Sequence, residues 1–180
     1  YENILKKNNK TFKDWLKHSL IQAVAEKYLK TKNLKIDVFQ TLDNPNTFHS
    51  AQKPHFDRIP TLKFLLYLND INLENGPFSL SPGSHHWVEK KFPIPRENFN
   101  NETLLENSRN LPDIILGNLQ KVPGKAGQLL IFTTDCIHHQ GIVQSGETKI
   151  IRAHFRNPNV NYNNKKVNFL DKLRIIKSSI

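Results

Sequence analysis

Cysteine and methionine are almost missing from this chain. Among its 180 residues, Cys136 is the single cysteine and none is methionine. One cysteine excludes a disulfide within the chain and is typical of a reducing compartment, so we expect a cytoplasmic protein. The sequence begins at Tyr1 without a methionine, which suggests a fragment of a longer chain.

Long apolar runs are also missing. No stretch approaches the roughly 20 apolar residues of a membrane span, and no signal-peptide pattern opens the sequence. The mean hydropathy is −0.56, but apolar residues cluster in short dense runs, as in a globular chain. The length suits one domain, residues 1–180, and no internal repeat or linker divides it.

Acidic residues are too few to balance the basic ones. The chain has 26 Lys and Arg against 16 Asp and Glu, a net charge of +10. This excess fits a polyanionic partner or an anionic substrate. The lysines are scattered, however, and no basic stripe interleaved with aromatic residues is present, which disfavours nucleic-acid binding. We expect a small-molecule substrate, and the charge favours an anionic one.

Apolar periodicity predicts a mainly β chain with flanking helices. Helical spacing predicts an N-terminal helix over residues 11–30. Short apolar runs predict strands, of which the clearest are 34–41, 61–68, 77–80, 119–122, 128–133 and 149–155. Strands of this kind after a helix favour a jelly-roll or barrel of antiparallel strands, with its core over residues 35–156.

Three other segments are predicted as turns or connections. Residues 82–87 (Pro-Gly-Ser-His-His-Trp) predict a sharp turn. Residues 88–117 predict a long connection with a short helix near 102–109, and this length suggests a lid or substrate loop. The C-terminal extension, 157–180, is basic and polar, with a weak helix near 167–176.

His55 and Asp57 stand two residues apart just before a dense apolar run. Side chains two apart in extended backbone point to one face, so an imidazole nitrogen and a carboxylate oxygen lie side by side. They make up two thirds of the 2-His-1-carboxylate triad that holds non-haem Fe(II). Either His138 or His139 can supply the third ligand if antiparallel strands bring it close.

Open positions on such a metal would accept a bidentate 2-oxo acid and O₂. The far carboxylate of that acid needs a cation, because a lone buried charge is costly. Arg152 and Lys149, on the strand after the distal histidines, are the candidates. They are three positions apart, so they face opposite sides of the strand and one alone can point inward.

A series of motifs, taken in order, resembles the phytanoyl-CoA dioxygenase family. The motifs are His55-Phe56-Asp57-Arg58, the run from Leu62 to Asp70, Glu74-Asn75-Gly76-Pro77-Phe78, Pro82-Gly83-Ser84-His85, and the run from Gly127 to Phe132 that leads to His138. Members of this family are Fe(II)- and 2-oxoglutarate-dependent oxygenases. The resemblance therefore implies a double-stranded β-helix, an Fe(II) ion and 2-oxoglutarate as co-substrate.

The resemblance also implies roles for single residues. His55 and Asp57 correspond to iron ligands. His138 fits the distal ligand better than His139, because Gly141 completes the His-x-x-Gly turn of the family. Related halogenases replace the aspartate with a small residue, so by this resemblance Asp57 implies hydroxylation or another oxidation, with succinate and CO₂ released.

The anchor for 2-oxoglutarate is less clear from the resemblance. The family usually has an arginine there, which favours Arg152, whereas gapless spacing from His138 favours Lys149. We take Arg152 as the anchor and keep Lys149 as the alternative.

Other classes of protein are open at this point. The chain could be a non-catalytic binding protein of the same fold that has lost iron or co-substrate. A cupin-type metalloenzyme would begin with His-x-His, but Asp57 stands at the second position. The sequence does not name the substrate, and the 88–117 connection is expected to select it.

Overall fold

A computed structural model describes residues 2–3, 10–93 and 110–160 of the chain. Its strands are β1 Glu2–Asn3, β2 Lys35–Asp43, β3 Leu62–Tyr67, β4 Ser79–Leu80, β5 Gln120–Lys121, β6 Leu129–Thr133, β7 His138–His139 and β8 Thr148–Arg156. Its helices are α1 Lys10–Leu16, α2 Ser19–Leu29, α3 Ser84–Lys91 and α4 Asp113–Gly117, and a 3₁₀ turn covers Ser50–Gln52.

The strands form two antiparallel sheets. The larger sheet has five strands in the order β1-β2-β8-β3-β6, and the smaller has three in the order β5-β4-β7. Strand β8 lies at the centre of the larger sheet, where Arg152 pairs with Phe39 of β2 on one side and with Leu65 of β3 on the other. The predicted fold class, a mainly β double-stranded β-helix with N-terminal helical structure, is confirmed.

Strand β8 is buried on both faces, because the larger sheet separates two apolar cores. Ile151 and Phe155 pack on one face with residues of α1 and α2. Ile150 points to the other face and packs with Tyr67 and with Phe78, which leads into β4. Even-numbered side chains of β8 therefore face the space between the two sheets, which we call the barrel interior.

The N-terminal region differs from the single helix predicted over residues 11–30. Two helices, α1 and α2, are separated at Lys17 and His18. His18 has a non-helical ψ of 131°, and its Nδ1 accepts a hydrogen bond from the Leu20 N–H at 3.3 Å, which caps α2. Both helices still bury apolar side chains on the sheet, as the periodicity predicted.

The predicted turn at 82–87 is the start of a helix in the structure. Gly83 has a φ of 78°, in the left-handed region that favours glycine, and α3 begins at the next residue, Ser84. Residues 88–91 of the predicted long connection therefore continue α3.

The described residues include only parts of the two other predicted segments, 88–117 and 157–180. Residues 113–117 of the predicted long connection form α4. The short helix predicted near 102–109 and the weak helix near 167–176 lie outside the described residues. Within the described part of the chain, none of the helices has the length and apolar character needed to cross a membrane.

Candidate metal centre

His55 and Asp57 are held in place by backbone pairing with two other segments. The His55 N–H donates to the His138 carbonyl at 3.0 Å, and the His138 N–H donates back to the His55 carbonyl at 2.8 Å. The Asp57 N–H donates to the Thr134 carbonyl at 3.0 Å. Phe56 points the other way, into an apolar cluster against α3 and α4. The alternation predicted from sequence therefore places His55 and Asp57 on one face.

Asp57 Oδ1 lies between two imidazoles. It is 3.6 Å from His55 Nε2 and 3.7 Å from His138 Nε2, and one ligand atom from each residue lies within 4.8 Å of the others. Two ligands of one ion with bonds of roughly 2.1 Å can be up to about 4.2 Å apart. Both distances fall within that limit, so each imidazole is placed to share one ion with the carboxylate. The three side chains therefore form a group able to hold a metal ion.

The two histidines present the same ring nitrogen to this point. His55 Nδ1 lies 2.6 Å from the Lys53 carbonyl, and His138 Nδ1 lies 2.7 Å from the Cys136 carbonyl. A carbonyl can only accept, so each Nδ1 carries the proton and each Nε2 keeps its lone pair. Among the described residues, buried His138 Nε2 has no hydrogen-bond partner. Backbone carbonyls orient metal-binding histidines in this way.

The charge states also suit a metal. Burial lowers the pKa of His55 and holds the pKa of His138 well below its ordinary value, so both rings are neutral near pH 7. Burial alone would raise the pKa of Asp57, but the nearby Lys63, His138 and His55 together hold it well below its ordinary value. The group therefore offers two neutral imidazoles and one carboxylate.

Lys63 is a neighbour that the sequence analysis did not single out. It extends from β3 into the barrel interior, and its Nζ lies 2.8 Å from Asp57 Oδ2. Its side chain is 8% exposed. The sequence carried a signal, because Lys63 interrupts the apolar run Leu62 to Tyr67, and lysine is rarely buried without a partner.

His139 does not join the cluster of ligand atoms. Within the described residues, the group able to hold a metal consists of His55, Asp57 and His138. His139 is partly buried, and its Nδ1 lies 3.1 Å from the Gln140 carbonyl. Successive residues of β7 face opposite sides, which separates the two rings.

Arg152 and Lys149 lie on opposite faces of β8, as their spacing predicted. Arg152 shares the interior face with Ile150, whereas Lys149 lies on the other face, and its Nζ is 2.5 Å from Glu147 Oε1. Next to Arg152 on the interior face, His154 has its pKa lowered to about 3, first by burial and then by Lys63 and Arg152. Basic groups therefore surround this part of the interior.

The Pro-Gly-Ser-His motif supports the segment that carries the distal histidine. Ser84 Oγ donates to the Ser81 carbonyl at 2.6 Å and accepts from the Ile137 N–H at 2.8 Å. This bond ties the start of α3 to the residue just before His138. His85 contacts Cys136, with Nδ1 3.7 Å from Sγ.

The fold and these side chains define a double-stranded β-helix with a candidate 2-His-1-carboxylate centre. A family model described as phytanoyl-CoA dioxygenase matches residues 1–151. The chain belongs to the phytanoyl-CoA dioxygenase family, as the motifs indicated. A comparison with curated proteins gives no match.

Several solved structures share the fold. AviO1 from Streptomyces viridochromogenes has a TM-score of 0.58 and 17% identity, with 88% of this chain and 66% of that chain covered. The epimerase SnoN, in complex with Fe3+, alpha ketoglutarate and nogalamycin RO, has a TM-score of 0.62 and 20% identity, with 90% and 64% covered. HygX from Streptomyces hygroscopicus, with nickel and 2-oxoglutarate bound, has a TM-score of 0.58 and 17% identity, with 87% and 71% covered.

Because all three identities are low, these likenesses establish the fold alone. The chain spans less than two thirds of the length of AviO1 and of SnoN. The cofactor pair expected from the sequence, iron and 2-oxoglutarate, is the pair named in the SnoN structure. HygX has also been solved with hygromycin B bound.

Proposed function

We propose that this chain is an Fe(II)- and 2-oxoglutarate-dependent oxygenase that hydroxylates a small molecule. The observation that carries the proposal is the convergence of His55 Nε2, His138 Nε2 and Asp57 Oδ1 on one point. Membership of the phytanoyl-CoA dioxygenase family supports the same chemistry. When bound, iron with 2-oxoglutarate and O₂ would supply the oxidising power that no protein side chain has.

His55, Asp57 and His138 would hold the iron on one side and leave its other side open to co-substrate. Burial lowers the pKa of both rings, so both are neutral near pH 7. Because backbone carbonyls hold the Nδ1 protons, the lone pair of each ring is on Nε2. Metal binding therefore does not have to displace a proton from either ring. This preorganisation favours a metal site over a hydrogen-bonded cluster of structural residues.

Arg152 would bind the far carboxylate of 2-oxoglutarate. Its guanidinium can grip a carboxylate through two parallel hydrogen bonds. It extends from the interior face of β8, the face that also carries His154, whose pKa responds to Asp57. Lys149 is a poor alternative because it lies on the opposite face and pairs with Glu147.

The substrate would be a small molecule, and the net charge of +10 favours an anionic one. Neighbours of similar fold have been solved with the small molecules nogalamycin RO and hygromycin B. Hydroxylation is our first choice because Asp57 retains the ligand that related halogenases lack. Epimerisation, the activity named for SnoN, is the second outcome that product analysis must distinguish. The lone Cys136, free and buried, supports a cytoplasmic location.

Anaerobic titration with Fe(II) and 2-oxoglutarate tests the proposal without a known substrate. The wild-type protein should develop the visible charge-transfer band of an Fe(II)–2-oxo acid chelate, and should release succinate slowly when O₂ is admitted. His138→Ala should weaken Fe(II) binding beyond the roughly 10–100-fold that loss of an outer-shell partner causes. His139→Ala is the matched control and should bind Fe(II) as the wild type does.

Two results would contradict the proposal. Wild-type protein that binds neither Fe(II) nor 2-oxoglutarate would favour a non-catalytic binding protein of this fold. Equal loss of Fe(II) binding in His138→Ala and His139→Ala would mean that the three converging atoms are not the metal site.

A further inference from the structure

Lys63 is a buried cation at the second position of strand β3. In β3 it pairs with His154 of β8 on one side and with Phe132 of β6 on the other. Its side chain is 8% exposed. Burying an ammonium group is costly unless it is paired. A leucine at this position of an apolar strand would pack as well without that cost.

The partner of Lys63 is the carboxylate of the candidate metal centre, and the two oxygens of that carboxylate are divided between different neighbours. Oδ2 of Asp57 lies 2.8 Å from Lys63 Nζ. Oδ1 lies 3.6 Å and 3.7 Å from the Nε2 atoms of His55 and His138. One oxygen therefore faces the ammonium and the other faces the point where the imidazoles converge.

We propose that Lys63 is a positioning residue that makes Asp57 a one-oxygen metal ligand. This inference rests on the proposed function. With Oδ2 bound to Lys63, Asp57 would offer only Oδ1 to a metal and would take up one of its positions. A carboxylate released from Lys63 could bind through both oxygens and occupy a second position. That second position is one that a bidentate 2-oxo acid, or O₂ after it, would otherwise use.

Through its charge, Lys63 also favours the binding of 2-oxoglutarate. The ammonium compensates the charge of Asp57, so this ion pair adds no net charge beside the metal centre. A divalent ion there would keep more of its charge toward the dianion 2-oxoglutarate. The same ammonium repels the ion itself, so Lys63 favours co-substrate binding at some expense of metal affinity.

The proposal predicts opposite shifts of two affinities when Lys63 is replaced. Lys63→Met keeps most of the aliphatic stem and removes the ammonium. Co(II) should bind to this variant as tightly as to the wild type, or up to about tenfold more tightly, because repulsion is lost and Oδ2 is released. 2-Oxoglutarate should bind to the Co(II)-loaded variant about tenfold more weakly or worse. Lys63→Arg, which keeps a charged donor, should restore part of that loss.

Visible absorption of Co(II) under anaerobic conditions measures both affinities without any turnover. Lys125→Met is the matched control, because Lys125 Nζ also lies 2.8 Å from an aspartate oxygen, Asp70 Oδ2, but in an exposed pair. Both affinities should be unchanged in that variant. Infrared difference spectra of wild-type protein labelled with ¹³C-aspartate, recorded with and without Co(II), should show the wide carboxylate splitting of one-oxygen coordination.

Each result has a defined meaning. Lys63→Met with an unchanged 2-oxoglutarate affinity, or with both affinities lowered together, would overturn the proposal. If Lys63→Met does not fold, the infrared measurement on wild-type protein decides, and a narrow, two-oxygen splitting would refute the idea. The proposed function, by contrast, would be refuted if wild-type protein gave no Co(II) spectrum, or gave one that did not change when Asp57 is replaced.

Discussion

Gly76 and Gly141 lie backbone against backbone. A Cβ on Gly141 would be 2.6 Å from the Pro77 carbonyl oxygen and 2.7 Å from the Gly76 carbonyl carbon. A Cβ on Gly76, whose φ is +70°, would be 2.6 Å from the Gly141 oxygen. Gln140 Nε2 also donates to the Gly76 carbonyl at 2.8 Å. Two of the sequence motifs, Asn-Gly-Pro and His-x-x-Gly, therefore form one contact just beyond His138.

This contact makes Gly141→Ala a stability variant. The added methyl group meets rigid backbone, so we expect the free energy of unfolding to fall by about 1–3 kcal/mol, as in overpacked sites. Urea denaturation followed by circular dichroism measures it. Gly117→Ala is the control, because nothing lies within 4 Å of a Cβ there, and it should change stability by less than about 1 kcal/mol. Equal effects of the two substitutions would contradict the close packing.

The opposite faces of β8 predict different roles for two cations. Arg152→Met should raise the Kd of 2-oxoglutarate for the metal-loaded protein by about tenfold or more, because the far carboxylate loses its bidentate partner. Metal affinity itself should change little. Isothermal titration of 2-oxoglutarate into Mn(II)-loaded protein measures the first constant, and titration of Mn(II) into metal-free protein measures the second.

Lys149→Met is the comparison for Arg152→Met. Lys149 pairs with Glu147 on the outer side of the larger sheet, so its loss should leave 2-oxoglutarate binding within about twofold of the wild type. A larger effect of Lys149→Met than of Arg152→Met would reverse our assignment of the anchor.

Stability of the metal-free protein should fall in mild acid because of His154. Burial, Lys63 and Arg152 lower its folded pKa to about 3, from 6.5 in the unfolded chain. The unfolded chain therefore takes up the proton first, and stability is lost as the pH falls from about 6.5 toward about 3. Each pH unit in this window costs up to about 1.4 kcal/mol for one histidine.

His154→Gln removes that titration. Between about pH 7 and about pH 5, the variant should lose up to about 2 kcal/mol less unfolding free energy than the wild type. Urea denaturation of both metal-free proteins across this range provides the test. Parallel pH profiles for the two proteins would show that His154 is not the group responsible.

Some features of this protein follow from local sequence alone. The two-residue spacing of His55 and Asp57 places both side chains on one face wherever the backbone is extended. Dense apolar runs such as Leu62 to Tyr67 predict buried strands, and the structure has β3 there. The order of motifs indicated the family, and the family model confirms it.

Other local features depend on tertiary contacts, which a helical or turn pattern in the sequence does not show. The apolar stripe of residues 11–30 continues across the break at His18, because both helices bury it on the same sheet. The turn at Pro82 and Gly83 leads into a helix, because Ser84 is bonded to the Ile137 N–H from a distant part of the chain.

Alternation along a strand determined that Arg152 and Lys149, or His138 and His139, face opposite sides. It did not determine which side is inside, since that depends on which face another layer covers. Helices α1 and α2 cover one face of β8, so Arg152 lies in the interior and Lys149 outside it. The same limit concealed Lys63: the sequence shows a lysine in an apolar strand, and only the packed sheets bring its ammonium to Asp57.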